Sequence, residues 1–254
     1  MIRHPRTPFT ARIAGLNMIS GRSEPDAVMQ ANGQGIGSSE AVAWQIARVA
    51  GDKLLSIADP LCGARGKAKS LDAVMVPESG PGTYQAAKKS VRSKSSYGAL
   101  MRYDVRVEDG LSIDPDKAAV LIQGVLDDPR SWRGTRRWRF VLTRVGQSAS
   151  LHAYIVTPKT TDRLCAPYLT RGEVSCQNGN RVVLNAKRWL LGADSYGSDM
   201  PNYRRYLVNH EFGHALGKHH VDCPGPGKLA PVMMQQTKGL GGCRKNPWPQ
   251  SSQD

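Results

Sequence analysis

Rings are scarce in this 254-residue chain: phenylalanine, tryptophan and tyrosine together make up only 6% of it. Hydrophobic residues as a whole reach 40%, so a core can form, built more from aliphatic than from aromatic side chains. No run approaches the eighteen or so apolar residues that a membrane-spanning helix needs, so no transmembrane segment is expected. Basic Arg3, Arg6 and Arg12 precede Ile13 to Ile19, but that stretch is too short and too interrupted for the apolar part of an export signal. Cysteine is sparse too. Cys62, Cys165, Cys176, Cys223 and Cys243 never form CxxC, which argues against a zinc knuckle or a thioredoxin-type site.

Acidic side chains are the minority charge. Against 35 lysines and arginines stand 21 aspartates and glutamates, a formal net charge of +14. Such an imbalance favours encounter with an anionic partner: an acidic peptide, a cell-envelope polymer or lipid surface, or a nucleic acid. The densest cluster, Arg130 to Arg139, interleaves Trp132 and Trp138 with five arginines. No nucleic-acid motif surrounds it, so it reads as a loop entering a strand with its arginines in water. No specific nucleic-acid partner is expected.

Histidine is rare and unevenly placed. Four of the six histidines fall between His210 and His220, in the pattern HExxHxxGxxH. On a helix, residues i and i+4 lie about 40° apart around the axis, so His210 and His214 offer two imidazoles to one ion. Glu211, rotated by about 100° from His210, stands beside such an ion and reaches a bound water without ligating it. A continued helix would carry residue 220 about 240° away from His214, so the chain must turn first. Gly217 is where it can, because glycine accepts positive φ at a helix C-terminus. His219 is one position off the pattern, and His220 is the expected third ligand. Three histidines and a neighbouring carboxylate are the equipment of a zinc hydrolase, with Zn²⁺ as the cofactor.

The cysteines pair by proximity as Cys165–Cys176 and Cys223–Cys243, leaving Cys62 free, although two bridges among five cysteines allow fifteen arrangements. The second bridge would close a loop starting three residues after His220 and containing Met233. A loop of some twenty residues contributes about 3 kcal/mol in the chain-entropy model. Bridges imply an oxidising compartment. The alternative is a cytoplasmic protein with reduced thiols.

Along the chain, residues 1–97 read as a flexible tether or pro-region. It includes a Gly/Ser-rich piece at Ala31 to Ser39, a possible helix over Ser38 to Ala50 and a linker signal at Pro77 to Gly82. From Leu100 the signals sharpen. Met101 to Val107, Trp138 to Thr143, Leu151 to Val156 and Arg181 to Asn185 read as strands. Asp114-Pro115 opens a helix with Ala118, Val120, Leu121, Val125 and Leu126 as its apolar stripe, and Asp199-Met200-Pro201 opens the helix that carries the histidines. The order suggests an α+β fold, a sheet flanked by helices, in residues 98–245. A loose tail is expected at 246–254.

Pro231-Val232-Met233-Met234-Gln235-Gln236 follows His220 at short range. Together with the histidine motif, this stretch resembles the metzincin zinc endopeptidases. In those enzymes a turn carries a methionine beneath the metal as an apolar floor, and Met233 is the matching residue. Arg163 to Pro167, Asn185 to Trp189, Cys223 to Gly227 and Pro231 to Thr237 resemble, more narrowly, an actinobacterial family catalogued as domain of unknown function 3152. That resemblance covers roughly residues 98–245. It implies a metzincin-like fold with a twisted sheet, and a secreted or envelope metallopeptidase acting on protein or peptide as a monomer. It also implies an edge strand that holds an extended substrate by backbone pairing. By order, Arg181, Val182, Val183, Leu184, Asn185 and Ala186 are the candidates, the alternative being an interior strand without a substrate role. Several metzincins place a tyrosine two residues after the floor methionine. Gln235 stands there, so a tyrosine-assisted mechanism does not carry over.

On this reading His210, His214 and His220 hold Zn²⁺ and Glu211 is the general base of peptide-bond hydrolysis. Two rivals stand beside it. One is a basic envelope-binding module with a structural zinc site whose fourth ligand is Cys223 or Asp222. The other is a zinc-dependent amidase acting on cell-wall peptides.

Overall fold

A computed structural model describes residues 74–250 together with the backbone of four short strands nearer the N-terminus. The possible helix over 38–50, Cys62 and residues 251–254 lie outside the described residues. The chain divides into two compact units, Met1–Leu71 and Asp72–Asp254. In the first, β1 (Thr10–Ile13), β2 (Leu16–Ser20), β3 (Ala27–Ala31) and β4 (Gln34–Gly35) pair antiparallel in chain order, strands that the sequence reading did not anticipate.

The second unit is a mixed α+β structure around an open, twisted sheet. Its strands are β5 (Tyr84–Ala86), β6 (Ala99–Glu108), β7 (Trp138–Leu142), β8 (Leu151–Val156), β9 (Cys176–Asn178) and β10 (Arg181–Asn185). The helices are α1 (Pro115–Leu126), α2 (Pro158–Cys165), α3 (Ala186–Leu191) and α4 (Met200–Ala215). The strand order is β5-β6-β8-β10-β9, with β7 also pairing β6. Strands β6, β7, β8 and β10 run parallel, while β5 and β9 are antiparallel to their neighbours.

Strand alternation divides the sheet into two faces. Tyr103, Val105 and Val107 of β6 enter the main core with Ile122 and Leu126 of α1 and Tyr206, Leu207 and Phe212 of α4. The Phe212 ring packs edge-on against Tyr103 and Phe140, with centroids 5.3 and 5.8 Å away. The alternate residues of β6 are polar and held by partners. Asp104 accepts from Arg106 and faces His152 Nδ1 at 2.8 Å. Glu108 accepts from Gly82 N, from Thr157 N and Oγ1, and from Thr160 Oγ1. Val156, Cys165, Cys176 and Val183 form a smaller apolar cluster on this side.

Both expected bridges form, Cys165–Cys176 and Cys223–Cys243. They fit an oxidising environment. No helix among the described residues is long and apolar enough to cross a membrane.

Several boundaries move. The domain does not begin at 98: β5 pairs with Arg106 to Glu108, and Glu108 anchors Gly82. Residues 246–250 are not all loose, because buried Asn246 donates to Ala230 O and accepts from Trp248 N, and Asn209 of α4 donates to Pro247 O. In α1, Val120 points outward at 45% exposure, and Ala119 and Ile122 take the core-facing positions instead.

Candidate metal centre

The helix α4 starts as its sequence dictates. Asp199 is the N-cap and accepts from Asn202 N, and Pro201 occupies the first turn, where a missing N–H costs nothing. Its end is a Schellman turn: Gly217 N donates to His214 O, Lys218 N donates to Gly213 O, and Gly217 adopts φ +81°. This reversal brings His220 back toward the helix, so that His210, His214 and His220 form one cluster.

The three Nε2 atoms converge. His214 Nε2 lies 3.3 Å from His210 Nε2 and 3.1 Å from His220 Nε2. Tetrahedral bonds of about 2.0–2.1 Å to one ion require nitrogens about 3.3 Å apart, so the spacing fits a shared metal. The tautomers agree. His210 Nδ1 donates to Val232 O and His214 Nδ1 donates to Lys218 O, each at 2.8 Å. Their protons are thereby placed on Nδ1, and the Nε2 atoms present lone pairs. Lone pairs facing one another at this distance repel unless a cation lies between them. The residues present therefore fit a metal ion.

Burial keeps these imidazoles neutral. Desolvation, reinforced by His214, pushes His210 down to about 3 and His220 down to about 4, and desolvation lowers His214 as well. Glu211 moves the other way, with burial raising its carboxyl to about 8. Its Oε2 is buried without a hydrogen-bond partner. The same side chain lines an open cavity of about 360 Å³ with the three histidines. A carboxylate so placed, with a pKa near neutrality, is suited to taking and returning a proton.

Met233 lies behind the helix, 2% exposed. A Cβ built on Gly213 would stand 2.5 Å from Met233 Sδ and 2.8 Å from Trp132 Cζ2. Glycine inside the helix is thus what lets the sulfur and the indole close up against it. Trp132 Nε1 donates to Asn209 O, and Ser131 Oγ donates to Asn209 Oδ1, fixing the helix just before His210. Asn209 therefore holds the scaffold and no imidazole, and Asp222 stands outside the histidine cluster.

The strand expected to hold substrate is in the wrong place for it. Arg181 to Asn185 pairs with β8 on one side, and Arg181 to Val183 pairs with β9 on the other. Val182, Val183, Leu184, Asn185 and Ala186 are fully buried, so β10 is interior. The sheet edge beside the cavity is β9, where Cys176 and Gln177 line the cleft. Tyr206 of α4 also lines the cleft, with its ring 5.3 Å from His210. The carbonyls of Val232 and Lys218 were not foreseen as imidazole partners, since every residue offers a carbonyl. The glycine inside HExxH was the one legible sign of the contact behind the helix.

Fold and site define an α+β domain with three histidines gathered on one helix and the turn after it, close enough together to hold a metal ion. The chain belongs to the family described as Protein of unknown function (DUF3152), whose model matches residues 71–247. The match begins well before residue 98, in agreement with the place of β5 in the sheet. No curated protein and no solved structure matches the chain.

Proposed function

We propose that this protein is a zinc-dependent endopeptidase of metzincin-like design, working in an oxidising compartment outside the cytoplasm. The observation that carries the reading is the convergence of three Nε2 lone pairs beside a buried, unpartnered carboxylate in an open cleft. Three neutral imidazoles favour Zn²⁺ among common divalent ions. Held by His210, His214 and His220, it would supply Lewis acidity that polarises a scissile carbonyl and acidifies water. Glu211 then accepts the proton of the attacking water at Oε2 and delivers it to the leaving amine. Val232 and Lys218 hold two imidazoles in the tautomer this requires. Met233 serves as the apolar floor. Gln235 lines the cleft where some metzincins have tyrosine, so no phenol assists from that position.

The structural-zinc alternative needs a fourth protein ligand. Cys223 is bonded to Cys243 and is no thiolate, and the ligand cluster among the described residues contains the three histidines alone. Both facts favour an open position. The test is metal analysis of the purified protein, followed by parallel digestion of casein and purified cell wall with and without a hydroxamate. One zinc per chain and hydroxamate-sensitive release of peptides from casein are expected. Release from cell wall alone would establish the amidase reading in its place, and bound zinc with neither activity would establish the structural one.

A further inference from the structure

Chemistry is distributed unevenly around the cleft. One part of its wall is the loop closed by Cys165–Cys176, which presents Tyr168 and Leu169 at 61% and 84% exposure. Two adjacent large apolar side chains this far in water are costly to keep unless something covers them. The loop is not free to fold them away. Beyond the bridge, Gly172 N donates to Asp162 Oδ1 at 2.7 Å, Thr170 Oγ1 donates to the same oxygen, and Asn178 Nδ2 donates to Ala166 O at 2.8 Å. The apolar pair is therefore preorganised at the mouth, beside the free edge of β9.

Another part of the wall is the turn Gln236–Lys238. Gln236 is fully buried; its amide donates to Pro231 O and Asn246 O and accepts from Tyr196 Oη and Asn246 N. Thr237 is tied to Tyr203 Oη at 3.0 Å. This fixed turn sets Lys238, which is exposed, on the lining of the histidine cleft. Among the residues lining the cleft, Glu211 is the one acid, and it is buried at the base. The lining is thus cationic and apolar at its mouth, and Asp222, outside it, shares the adjoining hollow with His220, Gln235 and Lys238.

Resting on the peptidase reading, we infer that the cleft selects extended peptides carrying a bulky apolar residue and, within a few residues of it, an acidic one. The apolar side chain covers Tyr168 and Leu169, and the carboxylate faces Lys238. Backbone pairing along Cys176 and Gln177 aligns the peptide and is indifferent to sequence, so these two contacts set the preference.

The test uses the zinc-loaded full chain carrying Glu211→Gln and short fluorescent peptides differing at two positions: Leu with Asp, Leu with Lys, and Gly with Asp. Binding is read by anisotropy. The Leu–Asp peptide is expected to bind about tenfold more tightly than either partner. Adding Lys238→Glu should invert the Asp-over-Lys preference while leaving the Leu-over-Gly preference. Adding Tyr168→Ser with Leu169→Ser should do the opposite. Equal affinity for the three peptides, tighter binding of the lysine peptide, or no binding at all overturns the inference. The same peptides incubated with the parent chain separate the two claims. Ordered binding without cleavage would end the peptidase reading and leave this selectivity standing, whereas cleavage without preference would do the reverse.

Discussion

The two disulfide-closed loops flank one site and are built in opposite ways. The loop from Cys223 to Cys243 turns inward over much of its length and lends Gln235, Thr237 and Lys238 to the cleft. It buries Val232, Met233 and Gln236, and it lends the Val232 carbonyl to His210. The loop from Cys165 to Cys176 stands in front, and it turns Tyr168 and Leu169 to solvent. Similar cross-links therefore serve different ends. One lends a carbonyl that fixes an imidazole, and the other presents an exposed apolar pair.

The largest effect on this comparison comes from the ligands themselves. His214→Ala should abolish tight zinc binding and lower peptide hydrolysis by at least about a thousandfold, measured by metal analysis and turnover together. Zinc held as tightly by that variant would place the metal elsewhere.

Opening each loop sharpens the contrast. Replacing Cys223 and Cys243 by serine, or Cys165 and Cys176 by serine, should cost about 3 kcal/mol of stability in either case, since loop lengths of 20 and 11 residues differ little in closure entropy. Zinc affinity should fall in the first variant only, and peptide affinity at retained zinc should fall in the second. Parallel losses in both would show that the loops do not divide the work.

A smaller effect concerns the closed side. Gly213→Ala pushes a methyl toward Met233 Sδ and Trp132, both buried, and should destabilise the protein by about 1–3 kcal/mol in thermal or urea unfolding. An unchanged midpoint would mean that the methionine is not held against the helix.

A further effect, confined to one pH range, is expected of the metal-free protein. Glu211 titrates at about 8 when folded and near 4.5 when unfolded, so between those values the folded chain holds a proton that the unfolded chain lacks. Its contribution to stability therefore falls as pH rises through that window. His210 and His220, lowered from 6.5 to about 3 and about 4, act oppositely: below 6.5 the unfolded chain binds protons that the folded chain refuses, so stability there rises as pH rises and is lost as pH falls. Comparing Glu211→Gln with the parent cancels the histidines. The variant should gain about 2–4 kcal/mol near pH 8 and almost nothing near pH 5. A gain independent of pH would contradict the buried, unpartnered carboxylate.

The metal side was legible because its signals are local and spaced by helix geometry. His210, His214, Gly217 and His220 state a helix, a turn and a meeting point in eleven positions. Cysteine pairing by proximity also held, because each bridge closes a short loop. The front of the cleft was not legible. Strand β10 is apolar and was recognised, but its edge status depends on β9, three residues without a hydrophobic pattern. Tyr84–Ala86 is equally short, so the start of the domain was placed too late. The docking of Asn246 and Pro247 rests on polar contacts to Ala230 and Asn209, far away in sequence, which no local pattern records.

The central claim is that Glu211 acts on a proton beside a metal which the histidines alone hold. Glu211→Gln, purified beside the parent and measured for both zinc content and turnover on casein, tests it directly. The expected result is one zinc per chain in each protein and turnover reduced by at least about a thousandfold in the variant. Equal turnover, or a parent chain that carries no zinc, would contradict it.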